Sequence, residues 1–474
     1  MFLAAAGLML PSLIFGPSAL DSGPYNYTWT RQFADALGRG ELYPRWMSDS
    51  FQGLGSPTFF FYPPLAFYLT GLIDLAGAST WQAISLAGLL LIWASGLAMW
   101  FWIRSKSKRP VLWACLYMAA PYHLADFYIR AALAEFAAYA WLPLIVMGID
   151  RRPRLLAVAF AGLVCTHLPT AVLCTAFLIG PLEVAKLVKR KPIGGDLIAG
   201  LVGLALSAIY LLPALTLQRY VSIEALFDVG FRPAEMSVWF RNLPLVHVAT
   251  AGGVMALAAA VIWQDRSMGA PRGWAMMAMV CAALAVGLVP GLWALPVLEK
   301  VQFPYRLLSV AEFAVVTAIA LRLENAAAGL AIRLGLYALL FAWVLNVAAA
   351  TEIGLLHRDA SAYRAIERSL PDAPEYLPAG AAPKGLGYNR DPQVHRFLPA
   401  DRFNFPIWRM VQDGRENKVV GYTIPLGATV VRRALPIETA GAALSCLGAL
   451  FLLAWAALAR RRQGPAGRGE RLRV

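Results

Sequence analysis

Charged residues are scarce in this sequence. Only 15% of its 474 residues are Asp, Glu, Lys or Arg, whereas 59% are hydrophobic. Soluble domains carry about 25% charged residues, so the composition excludes an ordinary water-soluble protein. Apolar runs of about 20 residues, the length that spans the hydrocarbon of a bilayer, recur along the whole chain. The sequence therefore predicts an integral membrane protein.

Cysteine is also rare, and the common metal and nucleotide motifs are missing. The five cysteines (Cys115, Cys165, Cys174, Cys281 and Cys446) all fall inside apolar segments, and none forms a CxxC pair. This pattern indicates neither a zinc site nor a disulfide framework. We expect the cysteines to be small residues packed in the core. The sequence contains no HExxH, GxGxxG or P-loop motif, so nothing indicates a cytoplasmic nucleotide-binding domain. No internal repeat of the kind found in secondary transporters is visible.

Positive charge is present in excess, with a net charge of +14. Its placement argues against nucleic acid as a partner, because the basic residues cluster in short interruptions between apolar runs. The clusters are RSKSKR (104–109), DRRPR (150–154), KLVKRK (186–191) and the Arg-rich end of the chain (460–473). Cytoplasmic loops beside anionic headgroups show this pattern. We therefore expect membrane lipids as partners and no nucleic acid.

When every basic cluster is placed on the cytoplasmic side, the chain follows one path of about twelve transmembrane helices with both termini inside. The predicted helices are 2–20, 80–103, 110–124, 132–149, two short crossings within 154–188, 195–217, 244–263, 274–296, 307–322, 333–353 and 434–458. The apolar segment Phe59–Ala76 cannot be a full span, since it would move RSKSKR outside. Pro57, Pro63 and Pro64 also disfavour a regular helix there. We predict a juxtamembrane helix in the outer leaflet.

This path predicts an all-α polytopic membrane protein with a small β-rich appendage outside the membrane. Three segments face outward, namely 21–79, 218–243 and 354–433. The last is the appendage, in which KVVGYTIPL and ATVVRRAL resemble strands and Asp413–Gly414 marks a turn. The predicted divisions are a transmembrane domain 1–353, the appendage 354–433, and a last helix with a basic tail 434–474.

Polar residues that composition does not explain gather on the predicted outer side. Ionisable groups near membrane depth are costly, and they are functional candidates by default. The candidates are Asp21, Arg31, Arg45, Tyr62, His123, Asp126, Arg130, Glu135, His167, Gln302 and Arg306. An arginine guanidinium group can donate two parallel hydrogen bonds to phosphate oxygens, and a carboxylate can accept a proton. This set of residues therefore suits acid–base chemistry beside a phosphate-bearing lipid.

Each main candidate also has a structural interpretation. Asp126 and Arg130 could simply pair at i, i+4 on one helix. His167 could be a helix cap satisfied by the backbone, and Arg45 an interfacial anchor beside a tryptophan. Asp21 could cap the loop that follows the first helix. The sequence leaves these alternatives open.

The outer segments resemble a known family. The block GRGELYPRWMSDSFQGLGSPTFFFYPPLAFYL, which follows Asp21, resembles the first outer loop of bacterial membrane proteins known as 6-pyruvoyl-tetrahydropterin synthase-related. These belong to the YfhO-like branch of the GT-C glycosyltransferase superfamily. APYHLADFYIRAALAEF, THLPT, VQFPYR, APEYLP and FPIWRMVQDG resemble successive motifs of that family, in the same order. The PPL element is similar to the juxtamembrane part of lipid-A aminoarabinose transferases.

The resemblance implies an enzyme of the bacterial inner membrane. It would transfer a sugar from a polyprenyl-phosphate donor to a glycan, lipid or protein acceptor on the outer face. The family's acidic residue after the first helix, a catalytic base or acceptor-positioning group, matches Asp21. Relatives often carry a histidine a few residues later, where this chain has GPYNY, with Tyr25 and Asn26. No pterin-synthase domain is present.

On this interpretation Asp21 deprotonates or orients an acceptor hydroxyl, while Arg45, Arg130 and Arg306 neutralise the departing lipid phosphate. Asp126, Glu135 and His167 hold those arginines or the sugar. No cofactor is expected, and the reaction is metal-independent or only weakly assisted by a divalent cation. The rival functions are a transporter or flippase, which predicts charges and broken helices at the bilayer midplane, and a non-catalytic scaffold.

Overall fold

The fold consists mainly of apolar helices. The computed structural model of the chain describes residues 1–51, 53–222, 232–239, 243–264, 269–323, 360–379, 402–419, 424–425 and 427–462. Within these ranges six helices are long and apolar enough to cross a membrane, or seven if one bent pair counts as a single span. They are Thr80–Ile103, Leu133–Asp150, Leu168–Val188, Leu245–Gln264, Pro304–Arg322 and Pro436–Ala459. The protein is a membrane protein, as predicted.

The helices are numbered here in chain order. The first ten are α1 (Phe2–Phe15), α2 (Gly23–Gly38), α3 (Thr58–Phe61), α4 (Leu65–Leu75), α5 (Thr80–Ile103), α6 (Pro110–Met118), α7 (Pro121–Tyr128), α8 (Leu133–Ala138), α9 (Trp141–Arg151) and α10 (Pro153–Thr166). The others are α11 (Leu168–Cys174), α12 (Gly180–Val188), α13 (Gly194–Leu206), α14 (Ala208–Thr216), α15 (Leu245–Gln264), α16 (Ala270–Ala285), α17 (Pro296–Glu299), α18 (Leu308–Arg322), α19 (Ala360–Ser369) and α20 (Pro436–Arg462).

Several predicted spans match single helices, and others are broken. Helices 80–103, 244–263, 307–322 and 434–458 correspond closely to α5, α15, α18 and α20. The predicted span 274–296 is instead α16, which ends at Ala285, two residues before Gly287 adopts a φ of 71°. The predicted eleventh helix, 333–353, lies outside the described residues, as does the end of the basic tail.

The breaks have local causes. The predicted helix 110–124 divides into α6 and α7 before Pro121, which has no backbone N–H and disfavours helical geometry in the residue before it. The predicted first helix, 2–20, already ends at Phe15, where Gly16 adopts a φ of 88°. The predicted helix 195–217 is bent by 72° between α13 and α14, at Ser207.

The segment predicted to be juxtamembrane forms two short helices, α3 and α4. The longer, α4, has 11 residues, whereas a transmembrane helix needs about 20. It packs against α2 and α5. The contact with α2 is close, since a side chain at Gly71 would approach the Phe33 ring to 3.2 Å. Phe59–Ala76 is therefore not one continuous helix.

The appendage contains a three-stranded antiparallel sheet. Its strands β1 (Trp408–Gln412), β2 (Arg415–Lys418) and β3 (Thr429–Arg432) lie in the order β2-β1-β3. Asp413 and Gly414 form the predicted turn between β1 and β2, with φ values of 50° and 73°. Two consecutive residues with positive φ are typical of a tight hairpin turn. The predicted ATVVRRAL strand is β3.

The three segments predicted to face outward pack on one another. The Ser222 N–H donates to the Leu377 carbonyl at 2.9 Å, and the Phe403 N–H donates to the Leu54 carbonyl at 2.9 Å. A shared apolar cluster joins them, made of Trp46, Leu54, Phe60, Leu217, Val221, Leu377, Phe403, Phe405, Ile407, Trp408, Val419 and Ile424. All three segments therefore lie at one end of the helix bundle.

Basic loops meet at the opposite end. Lys106, in the RSKSKR cluster, lies 3.3 Å from Asp150, in the DRRPR cluster. Arg154 donates to the carbonyl of Ala456, near the end of α20. The 24 residues of α5 connect the two ends over roughly 36 Å, the rise of an α-helix of that length. Two of the four basic clusters and the described parts of the outer segments therefore lie at opposite ends of α5.

Candidate functional site

Two arginines and two acidic residues form a buried ionic cluster near the outer segments. Arg130 Nη1 lies 2.7 Å from Asp126 Oδ1 and 2.7 Å from Glu135 Oε2. Arg306 Nε lies 3.0 Å from the same Glu135 oxygen. The Tyr122 hydroxyl completes the arrangement by donating to Glu135 Oε1 at 2.6 Å. The expected i, i+4 pair of Asp126 and Arg130 therefore exists, but within a larger network.

The chain brings these groups together through short helices and tight turns. Asp126 lies in the last turn of α7, Arg130 follows two residues after the end of that helix, and Glu135 lies in the first turn of α8. Arg306 lies on the 3-10 turn Pro304–Leu307 that leads into α18. Ala131 and Gln302, beside these turns, have φ values of 47° and 70°. Positive φ is costly for residues other than glycine, and it is typical of functional or tightly constrained sites.

The Arg130 guanidinium group retains an unused donor. The side-chain hydrogen bonds that Arg130 makes to described residues all start from Nη1, and its buried Nε has no partner among them. Arg306 donates from Nε to Glu135 and from Nη1 to the Val301 carbonyl at 2.6 Å. Aromatic rings cover the guanidinium faces. Arg306 lies 4.7 Å from the Phe303 ring centroid and Arg130 lies 5.0 Å from that of Tyr305. The His247 ring stacks on the Tyr305 ring at 4.3 Å.

Asp21 lies beside this cluster and is open to solvent. The backbone N–H of Ser22 donates to the Arg130 carbonyl at 3.2 Å, which joins the two segments. Asp21 has a φ of 46°, so it is a third residue with positive φ at this site. Desolvation by the surrounding protein raises the pKa of the Asp21 carboxyl, and the positive charges of Arg130 and Arg306 oppose that rise. The site thus presents one accessible carboxyl next to two guanidinium groups.

Two further candidates, Tyr62 and His167, belong to the same neighbourhood. The charges of Arg306, Glu135 and Arg130 act on the Tyr62 hydroxyl. The same three groups act on the His167 imidazole. His167 is also the extended residue between α10 and α11, and its Nδ1 lies 2.7 Å from the Thr170 hydroxyl. His167 therefore combines the capping position with a place near the cluster.

Other candidates are engaged elsewhere. Arg45 is buried, lies 3.3 Å from Glu438 and donates to the Ile209 carbonyl at 2.7 Å, so it ties the first outer segment to α14 and α20. Arg31 is exposed on α2 and contacts Tyr27. The His123 ring stacks on Tyr139 at 3.8 Å within the core.

Gln302 lies in a tight turn beside the cluster, with a φ of 70°. Its backbone N–H donates to the Glu299 carbonyl at 3.3 Å, and the residue is half-buried. The turn carries the chain from α17 towards Arg306, so Gln302 helps to place that guanidinium group.

Sequence reasoning missed several groups that line or support the site. Tyr122, Tyr305 and His247 surround the cluster, and Glu312 lies behind it on α18. Glu312 and His247 could have been found, since both are ionisable residues inside otherwise apolar helices and such residues are functional candidates. Tyr122 and Tyr305 carry no such signal, because tyrosine is common at membrane interfaces.

The segment 372–376, which belongs to the appendage, lies beside the site. Asp372 accepts hydrogen bonds from Trp29 Nε1 at 2.8 Å and from Thr58 Oγ1 at 2.9 Å. Glu375 lies on the adjoining 3-10 turn, and its charge acts on the Tyr62 hydroxyl. Burial, with a contribution from Asp372, raises the pKa of Glu375 to about 7. A second titratable carboxyl thus lies near Tyr62.

Among the described residues there is no group of three or more His, Cys, Asp or Glu side chains placed to hold a metal ion. The ionic cluster instead combines carboxylate acceptors with guanidinium donors. Comparisons of the chain with family models, curated proteins and solved structures found no match.

Proposed function

We propose that the protein is a membrane glycosyltransferase that transfers a sugar from a polyprenyl-phosphate donor to an acceptor outside the cytoplasm. The observation that carries this proposal is the accessible Asp21 carboxyl beside Arg130 and Arg306. A transfer of this kind needs a group that accepts a proton from the acceptor hydroxyl. It also needs positive charge where the phosphate departs. Both are present in one place.

The proposed roles follow from accessibility. Asp21 deprotonates or orients the acceptor hydroxyl, because it is the exposed carboxyl of the site. Arg130 binds the donor phosphate through donors that Asp126 and Glu135 leave unused, and the positive charge of Arg306 strengthens that binding. Those two buried carboxylates hold the guanidinium groups in position, which lowers the reorganisation needed during the reaction. Tyr62 and His167 contact the sugar.

The charge balance of the site bears on metal dependence. Asp21, Asp126 and Glu135 outnumber the two guanidinium groups by one when all are ionised. Arg130 and Arg306 supply positive charge beside the departing phosphate without a metal ion. We therefore propose a metal-independent reaction, and weak assistance by a divalent cation is compatible with the excess of negative charge.

The finer topology belongs to the same proposal. About twelve spans in a GT-C-like arrangement would place the outer segments on the extracytoplasmic face of a bacterial inner membrane, with both termini in the cytoplasm. The positions of the basic loops and of the packed outer segments, at opposite ends of α5, support this orientation.

A transporter or flippase of lipid-linked glycans is the second candidate. The 72° bend between α13 and α14 favours it, since broken helices are typical of transport sites. Transport requires binding and movement but no proton transfer at Asp21.

Envelope glycans should therefore be compared by mass spectrometry in cells that carry the wild-type protein, Asp21→Asn or no protein. If Asp21→Asn restores the wild-type glycans, the proposed enzyme is contradicted.

A further inference from the structure

A cavity lies away from the ionic cluster, where α1 ends and α5 begins. Its volume is about 690 Å³, within the range of about 300–1,000 Å³ that small-molecule sites occupy. Residues 12–16 of α1, the first two turns of α5 and two side chains of α19 line it. The ends of apolar helices meet water at the level of lipid headgroups, so this cavity lies where a lipid changes from polar to apolar.

The floor of the cavity is fixed by hydrogen bonds. The Ser12 and Ser85 hydroxyls lie 2.8 Å apart, and the Ser85 hydroxyl also lies 2.9 Å from the Ser12 carbonyl. These contacts hold α1 against α5. Above them the wall is apolar and reaches the outer surface, because Ile14 is 61% exposed and Leu86 is 39% exposed. Hydrocarbon entering from the surface would cover these side chains.

The upper end of the cavity is polar and carries a negative charge. Glu367, on α19, accepts a hydrogen bond from Trp81 Nε1 at 3.0 Å through Oε1. The Trp81 ring packs against the Tyr363 ring at 4.7 Å and the Tyr27 ring at 4.5 Å. A carboxylate beside aromatic rings attracts an organic ammonium group through charge and through the ring faces.

Positive charge lies next to that carboxylate. Arg364 and Arg368 are exposed on α19, three residues before and one residue after Glu367. The residues that line the cavity include neither arginine, and the Gln82 side chain already accepts from the Ser79 backbone N–H at 3.1 Å. The polar end of the cavity therefore complements an ammonium group through Glu367 and the aromatic rings, and the arginines add positive charge to the surface outside it.

We propose that this cavity binds a zwitterionic phospholipid with an ammonium headgroup. Its ammonium group contacts Glu367 and the neighbouring rings, and an acyl chain covers Ile14 and Leu86. The cavity is separate from Asp21, and the proposal does not depend on the enzymatic function. The lipid would also brace the segment before Asp21, because Tyr363 donates to the Pro17 carbonyl at 3.0 Å.

The test measures lipid binding to the purified full-length protein by native mass spectrometry. The probes are phosphatidylethanolamine and phosphatidylglycerol with identical acyl chains. We expect the wild type to bind phosphatidylethanolamine about three- to tenfold more tightly, the range of a partly exposed charged contact. In Glu367→Gln the Trp81 hydrogen bond survives, since the amide oxygen accepts it. This variant should lose the preference, whereas Glu41→Gln, at an exposed glutamate elsewhere, should keep it.

A second variant keeps the test decisive if Glu367→Gln does not fold. Leu86→Trp fills the apolar part of the cavity and should weaken the binding of both lipids. Equal binding of the two lipids by the wild type would overturn the proposal. So would an unchanged preference in Glu367→Gln, or undiminished binding by folded Leu86→Trp.

Discussion

Glu312 and Tyr122 are joined by a hydrogen bond, although 190 positions separate them in the chain. Glu312 Oε1 accepts from the Tyr122 backbone N–H at 2.7 Å, and Oε2 accepts from the Tyr139 hydroxyl at 2.8 Å. Tyr122 lies in the first turn of α7, where backbone N–H groups have no partner within the helix. A carboxylate on α18 thus caps the helix that carries Asp126 and leads to Arg130.

This cap makes Glu312 a structural support of the ionic cluster. Glu312→Gln supplies only one acceptor oxygen in place of two, and the amide N–H groups face other donors. Unsatisfied buried donors cost about 1–3 kcal/mol, so we expect the free energy of unfolding to fall by about that amount. Unfolding in mixed detergent micelles measures it, with Glu41→Gln as the exposed control. Equal stability of Glu312→Gln and the wild type would show that the cap contributes little.

The sequence predicted what depends on local pattern. Apolar runs predicted α5, α15, α18 and α20, and the Asp413–Gly414 signal predicted the hairpin. The break before α7 was overlooked, although Pro121 marks it in the sequence. The bend at Ser207 has no such mark, and bends of this kind depend on neighbouring helices that satisfy the freed backbone groups.

The candidate site was predicted only in part. Asp21, Asp126, Glu135 and Arg306 were candidates because charge stands out within apolar sequence, whereas the ionisable His247 and Glu312 were missed. Arg45 shows the limit, since an arginine beside Trp46 looks the same in sequence whether it faces a ligand or an internal carboxylate. Its contact with Glu438 joins residues from opposite ends of the chain. Only the tertiary fold determines that pairing.

Glu375 should make stability depend on pH. Its pKa is raised by burial from 4.5 to about 7 in the folded protein. Between these values the folded state binds more protons than the unfolded chain, so stability falls as pH rises through this window. Glu375→Gln removes that contribution, and its thermal unfolding midpoint should fall less steeply over the same range. The measurement is thermal unfolding in detergent at a series of pH values. Identical slopes for Glu375→Gln and the wild type would contradict the assignment.

The orientation of the bundle predicts which sites an impermeant reagent reaches. Ser105 lies in the RSKSKR loop, and Asn417 lies on the exposed strand β2. In a chain whose native cysteines are replaced, Ser105→Cys and Asn417→Cys should be labelled from opposite sides of the membrane. Asn417→Cys should react in intact cells, and Ser105→Cys only after permeabilisation. Labelling of both from the same side would mean that α5 does not cross the bilayer.

Asp21→Asn separates chemistry from binding. The amide keeps the shape of the carboxyl but cannot accept a proton, so the proposed transfer should slow about 10²- to 10⁴-fold, the usual contribution of a positioned base. Donor binding and membrane abundance should be unchanged, because the exposed carboxyl acts in the transition state and forms no part of the buried network. Asp35→Asn, at an exposed aspartate on α2, is the matched control. Transfer of labelled glycan is compared at equal abundance, and a wild-type rate for Asp21→Asn would leave transport or scaffolding as the function.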